Sequence, residues 1–138
     1  MRKCSCVCSL QLCSALVGYE RERAGKPAGV RPHGMVSLGA ALFTVVSMHR
    51  FGNMGDPARV AAQIVTGIGF IGAGSILRQR GSVHGLTTAA SLWVTAAVGL
   101  AVGTGMLLMS LATAILLVFV VLRFGPRPRP KVVDDEAE

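Results

Sequence analysis

Carboxylates are scarce in this sequence and unevenly placed. Only seven Asp and Glu occur among 138 residues, and four of them, Asp134, Asp135, Glu136 and Glu138, crowd the C terminus. Glu20, Glu22 and Asp56 are the others, so none lies between Pro57 and Val133. That long stretch offers no general base of the Asp or Glu kind, although it contains His84. Aromatic residues are few as well, with five Phe, one Trp and one Tyr. The fourteen Lys and Arg sit in short clusters rather than along one continuous basic face, which argues against a nucleic-acid binder. Charged residues make up 15% of the chain, against about 25% in a typical soluble domain. With 51% hydrophobic residues and a mean hydropathy of +0.56, the composition is that of a membrane protein.

What the chain does have is long uncharged runs. VAAQIVTGIGFIGAGSIL lies between Arg59 and Arg78 and as a helix would cover about 27 Å, close to the roughly 30 Å hydrocarbon core of a bilayer. Asp56 and Pro57 before it supply an N-cap and a first-turn proline. A second uncharged tract runs from Gly85 to Leu122, too long for one crossing, and Gly103-Thr104-Gly105 is the natural place to fold it into a helical hairpin. GMVSLGAALFTVVSM, from Gly34 to Met48, gives another span, and Cys4 to Tyr19 gives a weaker one. The expected fold is an all-α, polytopic transmembrane helix bundle. One domain over 1–124 would hold four spans, at about 34–51, 57–77, 86–103 and 106–123, plus a weaker N-terminal fifth at about 4–20. The tail from Gly125, GPRPRPKVVDDEAE, has too little apolar surface to pack and reads as a disordered cytoplasmic segment over 125–138. Met1 to Cys13 has too short an apolar core for a secretory signal.

The basic residues then vote on orientation. With five spans, Arg2, Lys3, Arg50 and Arg59 fall on one side, and Arg21, Arg23, Lys26, Arg31, Arg78, Arg80, Arg123, Arg127, Arg129 and Lys131 on the other. The second side is expected in the cytoplasm, which leaves the C terminus inside and the N terminus outside. If the first segment does not insert, only the N terminus moves. The net charge of +7 is mostly accounted for by this orientation.

Three features invite other readings. Gly67, Gly69 and Gly72 have the spacing of a dinucleotide-binding loop, but no ribose-binding acid follows, and open backbone N–H groups are not tolerated in lipid. On a helix, Ala62, Thr66, Gly69 and Ala73 share one face, a small-residue packing seam, and Gly99 and Gly103 form a similar one. Cys4, Cys6, Cys8 and Cys13 lack the second pair that zinc sites use; the alternatives are small apolar residues in a poor first helix, or a start that falls inside the true first span or follows a frame error. His33, His49 and His84 fall at span ends among arginines and read as solvated interfacial residues. No catalytic residue, metal or cofactor is expected, and the chain is not expected to be an enzyme.

YERERAGKPAGVRPHGMVSLGAALF, DPARVAAQIVTGIGFIGAGSIL and GLTTAASLWVTAAVG, in that order, resemble the conserved membrane domain of the MgtC/SapB family over about residues 17–124. The resemblance implies a bacterial inner-membrane protein of about five helices, associated with adaptation to low magnesium, with ion homeostasis and, in some pathogens, with virulence. It also implies action by binding other membrane proteins, the ATP synthase among them, rather than magnesium pumping. A homo-oligomer in the lipid bilayer is a further expectation. The sequence departs from the family where Val30-Arg31-Pro32 replaces a usual Leu-Arg-Thr, in its cysteine- and serine-rich first span, and in lacking the soluble C-terminal domain of longer members.

Within the family motif Glu20, Arg21, Glu22 and Arg31 are the first candidates for function; the alternative is a solvated helix end held by alternating charges. Glu20 and Glu22 make a weak magnesium site because Arg21 and Arg23 flank them. A transporter would need polar groups along a path, and the spans offer Gln63, hydroxyls and sulfur. Thr88, Ser91 and Thr95, next to Thr87, form a hydroxyl face whose ordinary role is packing. The start of that helix, with Arg78, Arg80 and His84 near it, could instead hold a phosphate or carboxylate. Trp93 lies deep in its span and needs a partner for its indole N–H, for which Gln63 is the candidate. A small cation or solute transporter or channel subunit is the alternative to a regulator.

Overall fold

The computed structural model describes residues 14–23, 25–51, 56–79 and 82–124. Cys4, Cys6, Cys8 and Cys13, most of the 4–20 segment, Arg80 and the tail 125–138 lie outside the described residues. Five helices make up most of what is described.

The first helix, α1, covers 14–23. Its buried residues Ser14, Val17, Gly18 and Arg21 recur at helical spacing and form one stripe. A side chain at Gly18 would collide with the backbone of Val30, so α1 packs directly on the start of the next helix. Gly25, at φ +64°, ends α1 in a Schellman motif: Lys26 N–H donates to Arg21 O at 3.0 Å and Gly25 N–H to Glu22 O at 3.1 Å. Glycine meets the left-handed conformation that this motif demands.

Helix α2, Val30–Val46, continues into a π turn over Ser47–Phe51. Its buried face consists of His33, Ser37, Ala40, Ala41 and Thr44, while Met35, Leu38, Leu42, Phe43 and Val46 are exposed. This inverts the pattern of a helix in water, where the apolar stripe faces inward. Helix α3, Pro57–Gly74, starts as the sequence suggests, with the Asp56 carboxylate accepting from Ala58 N–H at 2.9 Å and Pro57 in the first turn. It ends at Gly74, short of the expected 77. Residues Leu77–Gln79 (β1) and Ser82–His84 (β2) instead pair antiparallel, Arg78 opposite Val83. The all-α expectation is amended by this small hairpin. Gly85 closes it at φ +91°, where a side chain would collide with the Ser75 carbonyl, so only glycine fits.

Helix α4, Leu86–Gly103, is central and packs on α2, α3 and α5. A turn with Gly105 at φ +86° leads into α5, Leu107–Phe124, as expected from Gly103-Thr104-Gly105. The α2–α4 interface is the most extensive and is built for close approach. A side chain on Gly99 would strike the Ser37 carbonyl, and one on Gly103 would lie 2.8 Å from the Ala41 carbonyl and close to Thr44. His33 meets Ser91, Ser37 meets Gly99 and Thr44 meets Gly103, so numbers rise together and the two helices run parallel. Gly72 meets Ala89, so the end of α3 lies beside the start of α4. The apolar core falls into two clusters, Ala41, Val98, Val102 and Ala114 in one, and Ala28, Ala40, Ile68, Leu92 and Ala96 in the other.

By length and apolar composition, α4 is the one described helix able to cross a membrane on its own, and Ala58–Gly74 and Leu107–Arg123 are apolar but shorter. The seam expected on α3 does not pack within the chain. Ala62, Thr66, Gly69 and Ala73 are all exposed, and nothing lies within 4 Å of where a Gly69 side chain would start. Ile64, Ile68 and Gly72, on another face, meet α4 instead.

Candidate functional site

One end of the bundle gathers the polar groups of three helices. The Schellman turn fixes the end of α1 and, with Gly18 seated against Val30, directs Arg21 inward. Arg21 is 4% exposed. Its Nη1 donates to Thr87 Oγ1 at 3.4 Å, which joins the end of α1 to the first turn of α4. Its Nε lies 3.7 Å from Glu20 Oε2, and both atoms are buried without a hydrogen-bond partner. Glu22 is exposed, with its carboxylate against Gly29.

Next to this, His33 is fully buried, which corrects its reading as a solvated interfacial residue. Its Nδ1 lies 2.9 Å from the Gly29 carbonyl and its Nε2 3.1 Å from Ser91 Oγ. A carbonyl only accepts, so Nδ1 carries a proton, while the single proton of the Ser91 hydroxyl has two acceptors in reach, Nε2 of a neutral ring and the Thr88 carbonyl. The same hydroxyl is 2.9 Å from the Thr88 carbonyl. Thr95 Oγ1 donates to Ser91 O at 2.7 Å, extending the polar file along α4. Thr88 Oγ1 and Ser37 Oγ are buried without a partner.

The sequence candidates therefore divide. Glu20, Arg21, Thr87 and Thr88 come together, and His33 and Ser91 join them. Arg31 and Arg78 are exposed at the same end and make no described contact with the cluster. Gln63 lines a groove elsewhere, and Trp93, 49% exposed, faces outward on α4. His49 and His84 are exposed. Among the described residues no group of three or more His, Cys, Asp and Glu is placed to hold a metal ion. The signal for His33 lay in the sequence: His33, Ser37, Ala40, Ala41 and Thr44 share one face of α2, opposite Thr88, Ser91 and Thr95 on α4.

A second feature lies between α2 and α3. Met35, Gly39 and Phe43 of α2 and Gln63, Gly67 and Ile71 of α3 line an open, almost wholly apolar groove of about 540 Å³.

A sequence model of the MgtC family matches residues 8–127, which contain every described helix. The chain belongs to the MgtC family. It is 50% identical over 97 residues to YhiD of Escherichia coli (strain K12), a protein provisionally named a magnesium transporter, covering 65% of this chain and 45% of that one. It is 46% identical over 103 residues to Protein MgtC of Brucella abortus (strain 2308), covering 75% and 43%. With Protein MgtC of Salmonella typhimurium (strain LT2) the identity is 44% over 106 residues, covering 77% and 45%. The chain thus spans less than half the length of these relatives. No solved structure matches it significantly.

Proposed function

We propose that this chain is the membrane domain of a regulatory bacterial inner-membrane protein. In this reading it serves magnesium limitation and ion homeostasis, in a pathogen also virulence, and acts by contacts between its helices and those of another membrane complex such as the ATP synthase. The observation that carries the reading is the inverted surface. Phe70, Leu108 and Met35 are exposed by 85%, 84% and 73%, while His33, Ser37, Thr88, Ser91 and Thr95 are buried. Lipid tails do not drive helices together by hydrophobic burial, so small residues and hydrogen bonds hold such a bundle while large apolar side chains face outward. The outward seam Ala62, Thr66, Gly69 and Ala73 and the adjoining groove supply the surface for a second helix. Four spans, with a fifth from the α1 region, then cross the bilayer; α2 and α4 run parallel, and Arg21, Arg31 and Arg78 lie at the cytoplasmic end.

A cation or solute transporter subunit is the second reading, favoured by the name that YhiD carries. Against it stands the backbone contact of α2 with α4 at Gly99 and Gly103, which leaves no gap between these two helices there. Purified protein in liposomes and crosslinking in native membranes separate the two. Absence of selective flux together with capture of ATP synthase or other membrane-complex subunits supports the regulator; selective flux of Mg2+ or another solute through the chain alone overturns it.

A further inference from the structure

Helix α4 begins without a cap. Gly85 has no side chain to accept from the first-turn N–H groups, and that turn contains no acidic residue. The N-terminus of a helix carries roughly half a positive charge, and its open N–H groups attract anions. Against this positive pole the fold presses a second one, the guanidinium of Arg21, within hydrogen-bonding reach of Thr87. Two positive poles facing each other are unfavourable unless something negative sits between or beside them. Glu20 offsets part of the charge from 3.7 Å, and Glu22 is turned toward Gly29. What remains is an arginine 4% exposed whose Nε has no hydrogen bond and, in the same first turn of α4 that Arg21 reaches, a Thr88 hydroxyl that is fully buried and equally unpartnered. Arginine's fork of donors fits tetrahedral and planar oxyanions better than a lysine does, and Arg23, Arg31 and Arg78 add positive charge at this end of the bundle.

We propose that Arg21 and the first turn of α4 form a binding site for a phosphate-type oxyanion, supplied either as free phosphate or as the phosphodiester of an anionic lipid headgroup. The anion accepts from the guanidinium and from the N–H groups of Leu86, Thr87 and Thr88, and couples the end of α1 to the start of α4. The site stands apart from any regulatory role and is equally compatible with the transporter reading. Arg78, one of the cations expected at this helix start, is exposed on the hairpin and makes no described contact with α4's first turn, and Arg80 lies outside the described residues.

The test uses the full chain in neutral maltoside detergent, melted under circular dichroism with inorganic phosphate or with chloride at matched ionic strength. In parallel it is melted in nanodiscs of phosphatidylcholine with or without phosphatidylglycerol. A ligand that binds only the folded state at about a hundred times its Kd raises Tm by about 5 to 10 °C in a chain of this size. A rise with phosphate but not chloride in detergent identifies free phosphate. A rise confined to phosphatidylglycerol discs identifies the headgroup, and either result supports the site if Arg21→Gln abolishes it and Arg21→Lys weakens binding at least tenfold. No specific rise in either medium overturns the proposal on the wild type alone, whether or not the variants fold. An equal rise with chloride, or a rise retained in Arg21→Gln, also overturns it.

Discussion

Nε2 of His33 lies 3.1 Å from the Ser91 hydroxyl, a side-chain bond between α2 and α4 on the same interface as the close contacts at Gly99 and Gly103. A buried polar pair of this kind favours the observed register of α2 on α4. Replacing Ser91 with Ala leaves a buried ring nitrogen unsatisfied and is expected to lower stability by about 1 to 3 kcal/mol. A double-mutant cycle of Ser91→Ala with His33→Leu is expected to show a coupling of about 0.5 to 2 kcal/mol. Additive losses in thermal or denaturant unfolding would mean that the bond contributes nothing.

Gly99 and Gly69 are both glycines in apolar helices, yet opposite outcomes are expected for them. At Gly99 even a methyl group would meet the Ser37 carbonyl, so Gly99→Ala must separate α2 from α4 and is expected to cost about 1 to 3 kcal/mol. At Gly69 there is open space, so Gly69→Leu is expected to leave helix content and Tm of the isolated chain unchanged. Its effect should show only between molecules, as reduced crosslinking to other membrane proteins. A fall in the isolated chain's Tm comparable to that of Gly99→Ala would place α3's small face inside the fold after all.

The contrast between these glycines also marks what could be read from the sequence. Local signals were legible: Asp56-Pro57 starts α3, and Gly103-Thr104-Gly105 ends α4 and turns the chain, because caps and positive-φ turns are decided by neighbouring residues. The helical face that packs is decided by distant ones. In a water-soluble helix the apolar stripe would name the buried side, but here both sides are apolar or small, and hydropathy is silent. Hence the partner of the α3 seam is not legible, hydropathy alone leaves His33 at a solvated span end, and Arg21 cannot be paired with Thr87, 66 residues away. The hairpin at Leu77–His84 is hidden in the sequence because the apolar run continues through Leu77, past the end of α3 at Gly74.

Gly85→Ala tests that hairpin. The substitution puts a methyl group against the Ser75 carbonyl and holds an L-residue at φ +91°, a conformation that costs about 1 to 3 kcal/mol for a non-glycine. The expected result is a lower Tm and faster proteolysis at the α3–α4 junction, with α2 and α5 still protected. Unchanged proteolysis would mean that the α3 end and the α4 start do not close as described.

The proposed orientation rests on the same end of the bundle. Ten of the fourteen basic residues fall on one side of a five-span topology, and the contact of Arg21 with Thr87 requires the end of α1 and the start of α4 to share that side. In the proposed topology the parallel α2 and α4 both enter from the cytoplasm, near Arg31 and Arg78. A green fluorescent protein fused after Glu138 is therefore expected to fluoresce, and an alkaline phosphatase fused there to be inactive. A phosphatase fusion in the Ser47–Asp56 region, between α2 and α3, is expected to be active. The reverse pattern would turn the whole bundle over and put Arg21 and the uncapped start of α4 outside the cytoplasm, where the leaflet and the anions they meet are different.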